Sequence, residues 1–276
     1  MILKFLVILV LTVFSNAAPV TVKYGFEDQE LLTDYDATRS STDAELGEHF
    51  EGDMLLSPTE WEALYQDSSS RNGLRDIDKR WPNRTVVYHI VEKDFDKKQI
   101  KMIKEGMADI ANKSCIRFRP NKTDEHVVII MGSESGCYSN VGLSGGKTQV
   151  LNFAKGCFVH GAIVHEMLHT IGFHHMQNTY NRDDYVKIVW ENIEKGMEGN
   201  FEKYSNNTVT DFGVPYDYES VMHYQETVFS KNGNKTIIPL QEGVKIGNRN
   251  GLSEGDVKKL NRMYCVDKEP ISYVEK

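Results

Sequence analysis

The sequence predicts an α+β fold, because two strand-like runs, one amphipathic helix and one strongly apolar helix follow each other between residues 85 and 171. Thr85 to Ile90 (TVVYHI) is β-branched and aromatic, the composition of a strand. Asp96 to Asn112 carries Ile100, Ile103, Met107 and Ile110 at the spacing of an amphipathic helix. His126 to Met131 (HVVIIM) is nearly all apolar and reads as a short strand, central in a sheet. The Gly- and Ser-rich stretch 132–146 is expected to be loop or irregular edge. Val159 to Ile171 is a strongly apolar helix. Beyond it, one helix is expected through roughly 184–203 and a last one near 253–264. There is no internal repeat, coiled coil or low-complexity tract.

The 276 residues are 40% hydrophobic and 26% charged, which supplies ample material for a buried core. The formal net charge of -8 argues against a nucleic-acid partner, which would need a basic stripe. Met1 to Ala18 has the pattern of a secretory signal: Lys4, an apolar run from Phe5 to Phe14, then small residues with cleavage expected after Ala17. That run is too short to span a bilayer comfortably, and no later segment is long and apolar enough, so no membrane partner is expected. The four cysteines, Cys115, Cys137, Cys157 and Cys265, lie downstream of the signal. In an oxidising compartment they should form two disulfides, and the spacing leaves all three pairings open. None belongs to a CxxC pair, which disfavours a Cys-rich zinc site. Sequons begin at Asn83, Asn112, Asn121, Asn206 and Asn234, and some of them should carry glycans.

Residues 18–71 differ from the rest: rich in Asp, Glu, Ser and Thr, and without Cys. A short helix is expected to start at Ser57-Pro58-Thr59-Glu60, with Ser57 as cap, Pro58 at the first position and Glu60 closing a capping box. Asp67 to Gly73 (DSSSRNG) is the polar, small-residue link that proteases nick.

His165-Glu166-Met167-Leu168-His169-Thr170-Ile171-Gly172-Phe173-His174-His175 carries the chemistry. On a helix, i and i+4 share a face, so His165 and His169 can aim imidazole nitrogens at one metal. Glu166 stands next to a ligand, where its carboxylate can reach a water at the metal without binding the metal itself. Gly172 allows a sharp turn off the helix end, which would bring His175 back as third ligand. An open fourth position is the arrangement of a catalytic zinc site. A bare HExxH often arises by chance; with the added Gly and third His the probability in such a chain falls to the order of 10⁻⁴ or less. His174 occupies a free position in the pattern and reads as a neighbour.

HExxHxxGxxH followed downstream by Ser220-Val221-Met222-His223-Tyr224 resembles the metzincin signature with its Met-turn, and the SxMHY form resembles the astacin family of zinc metalloendopeptidases. The similarity runs over most of the chain. It includes Arg80-Trp81-Pro82, Cys115-Ile116-Arg117-Phe118, Gly136-Cys137-Tyr138-Ser139-Asn140-Val141-Gly142 and Asn181-Arg182-Asp183-Asp184-Tyr185-Val186. The resemblance implies two lobes flanking an active-site cleft, with a twisted mixed sheet and the zinc helix in the N-terminal lobe and little regular structure in the other. It implies one Zn2+ on His165, His169 and His175, Glu166 as general base and acid, Met222 as a floor beneath the metal, and Tyr224 as oxyanion stabiliser and occasional metal ligand. It pairs Cys115 with Cys265 and Cys137 with Cys157. Substrate would lie extended along a sheet edge, with Cys137 to Gly142 on that rim.

Phe50-Glu51-Gly52-Asp53 is similar to the FxGD element of astacin propeptides, which implies that Asp53 takes the open zinc position and keeps the enzyme latent. The expected organisation is therefore a signal peptide over 1–17, an inhibitory propeptide over 18–71 and a catalytic domain over 72–276. An activating protease would cut after Arg71. One position departs from the family: a Glu that usually follows the third His and pairs with the new N-terminus is here Met176, which cannot accept an ammonium group. The chain is expected to be a secreted, extracellular monomer acting on proteins or peptides. The rival readings are an inactive secreted binding protein on the same scaffold, and a thermolysin-type peptidase with a downstream Glu ligand. The first would be expected to have lost a ligand or the Glu, and Gly172 and His175 in register argue against the second.

Overall fold

A computed structural model describes residues 45–47, 49–57, 60, 77–121, 123, 126–204 and 210–265. The expected signal, most of residues 18–71, the cut after Arg71 and the Asn206 sequon lie outside the described residues. Strands β1 (Met54–Leu55), β2 (Thr85–Ile90), β3 (Arg117–Pro120), β4 (Val127–Met131), β5 (Cys137–Asn140) and β6 (Thr148–Phe153) form one six-stranded sheet in the order β1-β5-β6-β4-β2-β3. All neighbours run parallel except β5 and β6. The class is α+β, with the mixed sheet as expected. β4 is central, between β2 and β6, and both its neighbours run parallel to it. Such a strand is covered on both faces, which explains its nearly continuous apolar sequence.

Helix α1 (Lys97–Lys113) begins at Asp96, whose side chain accepts from the Gln99 N–H while the Gln99 side chain accepts from the Asp96 N–H. This reciprocal cap satisfies two donors that the first turn would leave free. Its buried face, Ile103, Met107 and Ile110, is the stripe read from the sequence. Helix α2 (His160–Ile171) is buried from Gly161 to Ile171, which suits a helix that is apolar all round. Helix α3 (Glu254–Tyr264) starts at the Ser253 cap and returns Leu260, Met263 and Tyr264 to the main core. Trp81 joins that core and its indole N–H donates to the Thr170 carbonyl at 2.8 Å.

The pairing implied by the resemblance is present: Cys115–Cys265 and Cys137–Cys157. The first ties the end of α3 to the chain just after α1. The second ties the rim strand β5 to the turn that leads into α2. A smaller core on Val186, Ile188, Ile193, Phe201, Tyr224, Val228, Phe229 and Ile237 fills the C-terminal lobe.

Two expectations need correcting. Residues 184–203 are not a helix: they hold strand β7 (Val186–Ile188), paired antiparallel with β8 (Ile237–Pro239), and short 3-10 turns at Trp190–Asn192 and Glu198–Phe201. The local pattern is period two, with Val186 and Ile188 buried around an exposed Lys187, and β-branched residues there favour the strand. Spaced apolar residues at 189, 193, 197 and 201 imitate a helical stripe across separate turns. Within 132–146 the irregular stretch contains a regular strand, β5, whose Cys137, Tyr138 and Ser139 are all buried. Strands β3 and β6 are short and carry polar residues, and the sequence gives little sign of either.

Candidate metal centre

Three elements converge on one point. Helix α2 supplies His165 and His169 from successive turns. Gly172 ends it in the left-handed region (φ 116°), and its N–H returns to the Leu168 and His169 carbonyls. That turn carries the chain round to His175. The third element is the segment before β1, where Glu51 (φ 49°) and Gly52 (φ 88°) bend the chain and present Asp53.

The four groups are fully buried, and their donor atoms all lie within 4.8 Å of one another. His165 Nε2 stands 3.1 Å from His169 Nε2 and 3.2 Å from His175 Nε2. Asp53 Oδ2 is 3.1 Å from His165 Nε2 and 3.2 Å from His175 Nε2, and its Oδ1 is 3.4 Å from His169 Nε2. Four ligands about 2.0–2.1 Å from a tetrahedral zinc would stand about 3.3 Å apart, so the cage has the size zinc requires.

Proton bookkeeping points the same way. His165 Nδ1 faces the Val221 carbonyl at 2.8 Å, His169 Nδ1 the Phe173 carbonyl at 2.7 Å, and His175 Nδ1 the Glu51 carboxylate at 2.7 Å. The two backbone carbonyls hold a proton on Nδ1 of His165 and of His169, so their Nε2 lone pairs point at each other, at His175 Nε2 and at the Asp53 carboxylate. A positive charge at the centre makes that arrangement favourable. Burial pushes the His169 imidazole down to about 4, the neutral state a ligand needs. Burial also lowers His175, but the Asp53 and Glu51 carboxylates outweigh it and raise it to about 9. The pocket therefore stabilises one positive charge at its centre.

Glu166 lies beside the cage, fully buried, and neither carboxylate oxygen has a hydrogen-bond partner. Burial pushes its carboxyl well above the usual range, with Asp53 and Glu45 adding to the rise and Arg249 opposing it. A divalent ion at the cage would pull it back down. Met222 is buried within the main core. The turn around it is held by Asp256, which accepts from Ser220 Oγ at 2.6 Å and from the Val221 N–H at 2.9 Å. Tyr224 packs its ring 4.6 Å from that of His175 and donates its hydroxyl to the Glu51 carbonyl at 2.5 Å. His174 is half-buried, its ring 5.2 Å from that of Tyr204, and it is not one of the converging groups.

Met176 is buried, and the ammonium of buried Lys259 stands 2.9 Å from its sulfur. Asn83, Asn112 and Asn234 are exposed and Asn121 is partly exposed.

The family model named Astacin, which describes a peptidase family, matches residues 73–265. The chain belongs to the astacin family. As an astacin it is 38% identical over 225 residues to zinc metalloproteinase nas-13 of Caenorhabditis elegans, covering 78% of this chain and 50% of that protein. It is 38% identical over 241 residues to seminal metalloprotease 1 of Drosophila melanogaster, covering 78% of this chain and 96% of that protein. Among solved structures it is similar to high choriolytic enzyme 1, a hatching enzyme zinc-protease of Oryzias latipes. There the TM-score is 0.62 and the identity 33%, over 74% of this chain and 100% of the other. This astacin chain spans about half the length of several curated relatives, 50% of nas-13 and 44% of nas-15.

Several residues of the site were not legible in the sequence. Tyr204, Gln177, Glu45 and Arg249 are all buried or nearly so around the cage, yet none stands in a metal-binding pattern, and Glu51 fills only the unspecified position of the Phe-x-Gly-Asp element. Asp256 had a signal, as the fourth residue of a Ser-x-x-Asp cap at α3.

Proposed function

We propose that this chain is a secreted, zinc-dependent endopeptidase made in latent form, with residues 18–71 as the inhibitory pro-segment and 72–276 as the catalytic part. The observation that carries this reading is the buried cage of three Nδ1-anchored imidazoles closed by Asp53, with the unpartnered Glu166 carboxylate beside it. His165, His169 and His175 would hold one zinc ion, and Asp53 would fill its fourth position. When bound, zinc supplies Lewis acidity, acidifying water and polarising a scissile carbonyl.

The protein's own groups do the rest. Glu166 takes the proton of the attacking water and delivers it to the leaving amine. The Tyr224 hydroxyl, freed from the Glu51 carbonyl, donates to the oxygen on which charge develops. Substrate would pair with the edge of β5, where β1 now lies with Met54 opposite Ser139. β1 runs parallel to β5, so the pro-segment holds the rim and the fourth metal position together. The two disulfides fit export to an oxidising compartment, and among the described residues no helix is long and apolar enough to cross a membrane. An activating protease, protein or peptide substrates and a monomeric state complete the reading. The rival, an inactive binding protein, has no observation in its favour, since His165, His169, His175, Glu166 and Tyr224 are all in place.

The test is hydrolysis of a denatured protein before and after limited trypsin treatment, with zinc content measured on the same samples. Activity that appears only after trimming, and that a chelator abolishes, supports the proposal. A trimmed, zinc-loaded chain that cuts nothing across varied substrates would sink it.

A further inference from the structure

We propose that Glu51 is a positioning residue of the metal centre in the uncut chain: its carboxylate supports His175, and its departure on activation weakens the hold on zinc. The inference rests on reading residues 18–71 as a removable pro-segment. The three imidazoles are not supported alike. His165 and His169 anchor their Nδ1 protons on the carbonyls of Val221 and Phe173, which belong to the matched catalytic region and stay with it. His175 anchors its proton on Glu51 Oε2 at 2.7 Å, across 124 residues of sequence and onto the segment that would leave.

Glu51 is built for that position. It is fully buried, and Oε2 also accepts from the Tyr204 hydroxyl at 2.5 Å. Its N–H donates to Asn200 Oδ1 at 3.1 Å, and its carbonyl accepts from Tyr224. It holds a left-handed φ of 49°, a conformation that a glutamate adopts only when its surroundings impose it. Glu51 is not itself a ligand, because it meets His175 at Nδ1, on the far side of the ring from Nε2. A carboxylate on the outer nitrogen of a metal-bound histidine fixes the ring and raises its basicity. Glu51 thereby places a second acidic side chain against the ring of His175, on the side away from Asp53. Losing Asp53 costs a ligand, whereas losing Glu51 leaves a ligand with an unsupported ring.

The experiment is zinc titration of the full uncut chain in chelator-buffered zinc, comparing wild type with Glu51→Gln and Glu51→Ala. Glu51→Gln should bind zinc roughly 10–100-fold more weakly than wild type while staying latent, because Asp53 is untouched. Glu51→Ala should lose at least as much. Trimming removes position 51, so every variant yields the same mature protein, and equal activity after trimming with zinc added shows that the domain folded. A Glu51→Gln chain that folds by this criterion and binds zinc as tightly as wild type would overturn the inference. Protein hydrolysis by the uncut wild-type chain would instead sink the latch, whatever the titration gives.

Discussion

Arg249 and Glu45 form a forked ion pair: Nε lies 3.0 and 2.9 Å from the two carboxylate oxygens, and Nη2 lies 2.5 Å from Oε2. The glutamate side chain is 3% exposed and the arginine side chain 11% exposed. Arg249 also donates to the Val221 and His223 carbonyls, on either side of Met222. The segment that holds Asp53 is thus clamped to the turn around Met222 as well as to the three histidines. Breaking one side of a buried pair costs about 3–5 kcal/mol. Glu45→Ala should therefore raise the basal activity of the uncut chain on the order of tenfold or more, and leave the trimmed enzyme unchanged. An uncut variant as silent as wild type would show that the clamp adds nothing to latency.

Gly52 sets the bend that delivers Asp53. At φ 88°, an added Cβ would meet the Glu45 carbonyl oxygen at 2.8 Å and the Phe229 ring at 3.2 Å. Gly52→Ala should shift Asp53 off the cage, so that the uncut chain shows activity and is trimmed faster by a fixed dose of trypsin. Trimming at the wild-type rate, with full latency, would mean that the bend tolerates a side chain.

Glu166 has no structural partner for its carboxylate, so removing it should leave the fold and the cage intact. The trimmed Glu166→Ala protein should keep its zinc and lose peptidase activity by roughly 10²–10⁴-fold. Loss of the metal together with activity would place Glu166 in the support of the cage instead.

Tyr224 donates its hydroxyl to the Glu51 carbonyl, and on the proposed activation that bond would be lost with the segment. Trimmed Tyr224→Phe should then show kcat lowered by about 10²–10³-fold with KM little changed, the pattern of a contact made in the transition state. A rise in KM at unchanged kcat would assign Tyr224 to substrate binding.

Much of the centre was legible because side-chain spacing on a helix has a fixed geometry. His165 and His169 one turn apart, a glycine that lets the chain reverse and a third histidine leave little freedom. The supports were not legible, for a physical reason. Two of the three outer contacts are to backbone carbonyls, of Val221 and Phe173, which every residue possesses. The third joins residues 51 and 175, and nothing local to either marks the pair. The same holds for Glu45 and Arg249, 204 residues apart. Among the elements, α1 and α3 announce themselves through caps and amphipathic faces. Residues 184–203 misled because a three-residue strand and two tight turns place apolar residues at nearly helical intervals.

The central claim is that Asp53 holds the fourth metal position and thereby keeps the uncut chain silent. The most direct measurement is the peptidase activity of uncut Asp53→Ala chain, loaded with zinc and never exposed to trypsin, against uncut and trimmed wild type. The account expects the variant to cleave a denatured protein at a substantial fraction of the trimmed rate while uncut wild type stays silent. A zinc-loaded Asp53→Ala chain as silent as uncut wild type, but fully active after trimming, would contradict it.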